Sequence, residues 1–290
     1  MASSCHRVYE KRIRRIFIAT NVSLNFKKRL EAGEIVYGQT IGPGNDPLKT
    51  VKALKDFGFD FIIMENEHSL INKETVFEFI RASREMEIPI WLRPEENSAH
   101  FRCYLDAGVN GLMLPQVDTV EEAQYAVNQS YFPPIGHRGS GLGMSPYLLD
   151  GQNTTEMPLL EILEYINNNT FLFPQTETVK CISNLPDILG LEGITGTLVG
   201  TNDLILDIGS IPPKALREEL ATSDTVEDKL RQIARISRES GKAAGLGGFT
   251  PRAMAKWAKE GYQLFTLGYV IGGNVNILKP RIEEIKSIIG

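Results

Sequence analysis

Cysteine is scarce in this chain. Cys5, Cys103 and Cys181 are odd in number and scattered, without the close spacing of a metal knuckle. That excludes a disulfide framework and a cysteine-rich zinc site, and it suits a reducing compartment such as the cytoplasm. Histidine is nearly as rare: His6, His68, His100 and His137. Only His68 follows a strand pattern, and it stands beside two carboxylates, which argues against a three-histidine zinc centre. No apolar run reaches the roughly 18 residues of a membrane span. The formal net charge is −5, and basic residues cluster only at Lys11, Arg12, Arg14 and Arg15, so nothing supports nucleic-acid binding. This cluster precedes Ile16 to Ala19 and has three readings: organelle targeting, a partner-binding arm, or an extension without a role. Glu10 and the shortness of the apolar part favour the last. Residues 1–24 therefore read as a poorly ordered basic extension, and residues 25–290 as a single domain without an internal linker.

What the chain does contain is a regular alternation. Apolar runs at 35–41, 59–64, 88–92, 111–114, 171–174, 196–199, 243–246 and 264–267 have the length and composition of strands buried on both faces. Helical patterns follow them, several with recognisable ends. Asp46-Pro47 is an N-cap with proline at the first helical position, and Gly108 and Gly241 are helix stops. The connection after the sixth strand is polar and leads to a helix over 226–240, and the last helix spans 276–289. Eight strand–helix units without a composition break predict a (β/α)8 barrel. A doubly wound sheet is the alternative, but no Gly-x-Gly-x-x-Gly follows the first strand.

In a barrel the carboxyl ends of the strands converge on one mouth. Phe59 to Met64 breaks into Glu65, Asn66, Glu67 and His68. The third strand ends at Arg93, the fifth at Gln175 and Glu177, and the sixth at Asn202 and Asp203. Glu177 and Asp203 suit the protein share of a Mg²⁺ or Mn²⁺ site, or else are acids favoured at helix starts. Arg93 suits a bidentate grip on a carboxylate, or else an ion pair with a strand-end acid. No lysine stands clearly at a strand end, which argues against Schiff-base chemistry.

From about Phe26 onward the chain resembles the HpcH/HpaI aldolase family, metal-dependent class II pyruvate aldolases. The matching runs are Glu65-Asn-Glu67-His68, Trp91-Leu-Arg93-Pro94, Leu105-Asp106-Ala-Gly108, Tyr131-Phe-Pro-Pro-Ile-Gly-His-Arg138-Gly139, Gln175-Thr-Glu177-Thr and Gly200-Thr-Asn-Asp203-Leu. The resemblance implies a divalent metal (Mg²⁺, or Mn²⁺ or Co²⁺) held by Glu177 and Asp203. It implies Arg93 as the clamp on a 2-keto acid carboxylate, His68 as the base acting through a metal-bound water, and Glu65 as the acid that orients His68. Gln175, Arg138 and the backbone N–H groups of Asn202 and Asp203 would bind substrate, and Asp106 would reach a neighbouring subunit's site. It further implies a hexamer of dimers that exchange their C-terminal helices. The implied reaction is aldol cleavage or formation of 4-hydroxy-2-keto acids. Asn66, where the family usually has Gly, and Gly200-Thr-Asn-Asp203, where it has Gly-Pro-Ala-Asp, are compatible with a second reaction: Claisen-type condensation of oxaloacetate with acetyl-CoA, or acyl-CoA cleavage.

Overall fold

The computed structural model describes residues 22–150, 154–209 and 211–289. Residues 1–21 of the expected extension lie outside the described residues. The helix Val22–Glu31 opens the rest, so helical structure already precedes residue 25.

Eight parallel strands close into a barrel in chain order: β1 (Val36–Ile41), β2 (Phe61–Glu65), β3 (Ile90–Arg93), β4 (Gly111–Leu114), β5 (Phe171–Thr176), β6 (Gly196–Val199), β7 (Ala243–Gly247) and β8 (Leu264–Val270). Val36 of β1 lies opposite Leu264 of β8, which completes the ring. The expected (β/α)8 barrel forms, because each short apolar run is covered by helices outside and by its neighbours' side chains inside.

The interior is layered. Val36, Phe61, Ile63, Trp91, Phe171, Phe173 and Leu264 make one apolar cluster toward the entry ends of the strands. Trp91 stacks between Phe61 and Phe173, with ring centroids 4.4 and 4.6 Å away. Glycines face these rings and make room for them: a Cβ on Gly111 would come within 2.8 Å of Trp91. Alternating large and small residues fills the tapering interior of a small barrel. Phe26, from Val22–Glu31, closes the entry end, meeting Phe61, Trp91 and Phe171 edge-on at 5.5, 5.6 and 5.5 Å. The opposite end carries Thr40, Glu65, Arg93, Gln175 and Thr266, all buried.

The surrounding helices start at caps in the strand-to-helix loops. Asp46, Asn72, Thr119, Thr178 and Thr250 each accept a hydrogen bond from the backbone N–H three residues on. One expectation needs correcting. The connection after β6 holds two helices, Thr201–Ile208 and Arg217–Ala221, too short to show a helical apolar period. The final helix is Leu278–Ile289. It docks on its own barrel through buried Leu278, Ile282 and Ile285, while Lys286 Nζ donates to Gly58 O at 2.6 Å. Among the described residues, no helix is long and apolar enough to cross a membrane.

If Phe26 closes the barrel, Phe26→Ala should cost about 3–5 kcal/mol by urea denaturation, as for other buried aromatic truncations. A loss below about 1 kcal/mol would show that this helix is peripheral to the core.

Candidate active site

The strand ends meet as the barrel geometry requires. Glu65 and Arg93 are register partners on β2 and β3, and both are almost fully buried. Arg93 Nε donates to Glu65 Oε2 at 2.6 Å, and Nη2 lies 2.5 Å from the same oxygen. Its Nη1 lies 3.1 Å from Glu67 Oε2 and 3.4 Å from Gln175 Oε1, and Nη2 also donates to Tyr269 Oη at 3.0 Å. Burial pulls the guanidinium pKa down, but Glu65 and Tyr269 outweigh it and hold the charge. Of the two readings of Arg93, the ion pair with a strand-end acid is the one seen in this state.

Glu65 does not touch the His68 ring. Its Oε1 instead accepts from the backbone N–H groups of Glu67 and His68 at 2.9 and 3.0 Å, so it shapes the loop and anchors Arg93. The acid beside the ring is Glu67, whose Oε2 lies 3.5 Å from His68 Nε2. That imidazole is 61% exposed and stands at the rim.

On the other side of Arg93 lie Gln175 and Glu177. Glu177 Oε1 accepts from Gln116 N–H at 2.6 Å, and Oε2 is hydrogen-bonded by Gln175. Gln116 has a φ of 54°, a left-handed conformation rare outside glycine, and this turns its N–H toward the carboxylate. Thr178, not Glu177, caps the helix Val179–Gly190, so capping does not account for Glu177. Burial, and then the charges of Glu67 and Asp203, push the Glu177 carboxyl up to about 7, against the hydrogen bonds that favour its ionised form. Burial also raises Glu67, with Glu65 and Asp203 adding to it. Asp203 sits in the first turn of Thr201–Ile208. Leu204 N–H bonds Gly200 O, which leaves the N–H groups of Thr201, Asn202 and Asp203 without an intrahelical partner. They are suited to an anion.

Glu67, Glu177 and Asp203 repel one another, and Arg93 offsets only part of this, with its Nη1 3.1 Å from Glu67 Oε2. Glu177 and Asp203 are hard oxygen donors, and with substrate and water oxygens they fit Mg²⁺, Mn²⁺ or Co²⁺. Among the described residues, no group of three or more His, Cys, Asp or Glu is placed to hold a metal ion. A cavity of about 340 Å³ opens here, lined by Thr40, Arg93, Gln175, Asp203, Thr266 and Tyr269 among others.

Two expected residues are elsewhere. Arg138 shares a crevice with Asn110 and Thr170, which immediately precede β4 and β5, so it lies at the entry end and not in this chain's mouth. Its guanidinium donates to Asp106 at 2.5 Å and to Ser130 O at 3.3 Å. Asp106 is therefore engaged within its own chain. Three contributors escaped the sequence reading. Gln116 acts through its backbone, Tyr269 reaches Arg93 from the end of β8, and Glu67 was visible as a strand-end acid but had no role.

The site, then, is a buried arginine–carboxylate cluster beside two further carboxylates, Glu177 and Asp203, at the mouth of a parallel barrel. Residues 43–269 match the model of the HpcH/HpaI aldolase/citrate lyase family, and the chain belongs to that family. Among its relatives, the 4-hydroxy-2-oxo-heptane-1,7-dioate aldolase of Escherichia coli (strain ATCC 8739) is 28% identical over 267 residues, covering 92% of this chain and 95% of that protein. The 2-keto-3-deoxy-L-rhamnonate aldolase of Escherichia coli O9:H4 (strain HS) is 28% identical over 263 residues, with 90% and 93% covered. Among solved structures, citrate synthase SbnG superposes with a TM-score of 0.71 at 26% identity, over 90% of this chain and 97% of that one.

Gly200 offers a direct check on this geometry. A Cβ there would lie 2.5 Å from Gln175 Nε2 and 2.7 Å from Glu177 Oε2. Gly200→Ala should displace both side chains and lower kcat/KM by roughly 100-fold, the usual cost of an ångström-scale misplacement. Circular dichroism should still report a folded barrel. Unchanged activity would mean that the Gln175–Glu177 contact is not part of the working site.

Proposed function

We propose that the chain is a divalent-metal-dependent aldolase acting on 4-hydroxy-2-keto acids, with pyruvate or a close 2-keto acid and an aldehyde as products. The observation that carries this reading is the mutually repelling pair Glu177 and Asp203, set beside Arg93 and the open first turn of Thr201–Ile208. In the cleavage direction the 4-hydroxyl loses its proton, the C3–C4 bond breaks, C4 leaves as the aldehyde, and the electron pair moves onto the C2–C3 enolate. Glu177 and Asp203 would hold a divalent cation, which would supply positive charge for the developing enolate. The Asn202 and Asp203 N–H groups receive the keto-acid carboxylate. Arg93 presents a fixed positive face to it, held in place by Glu65, Glu67 and Tyr269. His68 takes the hydroxyl proton at the rim, with Glu67 beside its ring stabilising the imidazolium that results.

The same reading makes the protein a homo-oligomer, a hexamer built from dimers. Large apolar side chains left open on this chain support it, with Leu70, Leu206, Leu216 and Ile271 all more than half exposed. A reducing, cytoplasmic setting agrees with Cys103 and Cys181 as free thiols. Claisen chemistry, oxaloacetate plus acetyl-CoA, is the second reading. The likeness to citrate synthase SbnG favours it, and assaying it beside pyruvate plus aldehydes decides between the two.

EDTA should abolish activity, and Mg²⁺, Mn²⁺ or Co²⁺ should restore it. Glu177→Ala and Asp203→Ala should each lose Mn²⁺ binding by calorimetry while remaining folded. Full activity in metal-free protein would end the proposal.

His68→Ala should reduce kcat by roughly 10²–10⁴-fold with a smaller change in KM. Arg93→Ala should raise KM, and it should also lower Tm, because it leaves Glu65 and Glu67 buried without their cation. A near-normal kcat in His68→Ala would place the base elsewhere.

A further inference from the structure

The last strand breaks its own alternation. Val36 and Gly38 on β1 lie opposite Leu264 and Thr266 on β8, and Thr40 lies opposite Tyr269. Gln39 therefore faces two residues, Leu267 and Gly268, which makes a β-bulge. Without the extra residue, the period of two would send Tyr269 outward with Phe265 and Leu267, into the apolar layer beneath the helices. With it, Tyr269 stands on the face of Thr40 and Thr266 and lines the mouth cavity with them. Gly268 permits the bulge through a φ of 97°, which a side chain would strain. Gln39 fixes it from behind. Its buried Nε2 donates to Gly268 O at 2.6 Å and to Thr40 O at 2.9 Å.

The side chain that the bulge delivers does little for packing, since Tyr269 is 53% exposed. What it brings is a hydroxyl. Tyr269 Oη accepts from Arg93 Nη2 at 3.0 Å, and the hydroxyl makes no other hydrogen bond among the described residues. A phenol oxygen that accepts still has one proton to give. Burial raises the phenol pKa and outweighs the pull of Arg93, so the proton stays in place at neutral pH. The guanidinium also makes that O–H a stronger donor, because linked hydrogen bonds polarise one another. Arg93 has no nitrogen left uncommitted, its other contacts being Glu65, Glu67 and Gln175. Its charge reaches the cavity through the hydroxyl that it holds.

Resting on the aldolase reading above, we propose that Tyr269 is a substrate-contacting residue, whose hydroxyl, held by Arg93, donates a hydrogen bond to the carboxylate of the keto acid. That carboxylate then receives donors from two strand ends, the N–H groups of Asn202 and Asp203 after β6 and the phenol of β8. All three residues line the one cavity. The carboxylate is unchanged between keto acid and enolate, so the contact acts on binding more than on the chemical step. The bulge is the device that converts a position of outward parity into a substrate contact.

The test is exchange of the pyruvate methyl protons with D₂O, followed by NMR on the metal-loaded enzyme. Exchange reports enolate formation from the keto acid alone, without an aldehyde. Tyr269→Phe should raise the KM of pyruvate by roughly tenfold or more, as for a hydrogen bond to a charged group, with a smaller change in kcat. Tyr269→Leu should match it, because the hydroxyl and not the ring makes the contact. A hydroxyl that served only to steady Arg93 would move Tm and kcat and leave the KM of pyruvate in place. Wild-type KM in Tyr269→Phe overturns the proposal and leaves the aldolase reading standing, as does a loss confined to Tyr269→Leu or to kcat. Wild-type enzyme that exchanges no methyl protons overturns the aldolase reading and the contact with it.

Discussion

The rest of the mouth depends on one buried cation. Arg93 sits where β2 and β3 end side by side, and two carboxylates close around it. A charge taken out of water is costly unless its partners are complete. The surroundings meet that demand: Glu65 through two nitrogens, Glu67 and Gln175 through a third, and Tyr269 from across the barrel. Fixing Arg93 also fixes the loop, because the same Glu65 carboxylate receives the N–H groups of Glu67 and His68. One ion cluster thereby positions the rim imidazole, the acid beside it and the floor on which a keto acid would rest. A buried pair of this kind is weak support for stability, and its value here lies in holding geometry.

That cluster rests on a closely packed apolar layer at the other end of the barrel. Trp91 stands two residues before Arg93 on the same strand, and Phe61 four residues before Glu65, so their side chains point into the same interior. The stacked rings and the Phe26 cap fill the lower layers beneath the charges. The side-chain period of two lets one short strand contribute a core aromatic and an active-site charge at once. This is why Ile-Trp-Leu-Arg suffices for β3.

The barrel and much of its mouth were legible in the sequence for the same reason. Doubly buried strands are nearly uninterrupted apolar runs, and each ends abruptly in polar residues that have no use except at a mouth. Glu65, Arg93, Gln175, Glu177 and Asp203 were found this way, and the structure brings them together. What escaped lacks that signal. Thr201–Ile208 and Arg217–Ala221 are too short for a helical period to emerge. Gln116 contributes a backbone N–H, which no side chain advertises. A family motif carries no information on which end of the barrel its loop occupies, and in this chain Arg138 lies at the entry end. The loop after Tyr131 folds down against the entry ends of β4 and β5 and takes Arg138 to Asp106. The pairing of Glu65 with Arg93 rather than with the His68 ring follows from strand register, which becomes visible only once the neighbours are known.

The helix missed after β6 changes how the two carboxylates Glu177 and Asp203 are understood. Thr201–Ile208 begins at the strand end, so its unpaired N–H groups and its positive pole face the same space as the Glu177 and Asp203 carboxylates. A site of carboxylates alone would bind a cation tightly and repel an anionic substrate. Backbone donors alone would bind the anion and leave nothing for the metal. On the proposed reading, placing both within one turn would let cation and keto acid occupy adjacent positions, each compensating the charge of the other. Burial and its acidic neighbours push the Glu177 carboxyl up to about 7, against the hydrogen bonds from Gln116 and Gln175. Gly200 is the hinge of this arrangement, since any side chain there would drive Gln175 and Glu177 apart from the helix start they serve.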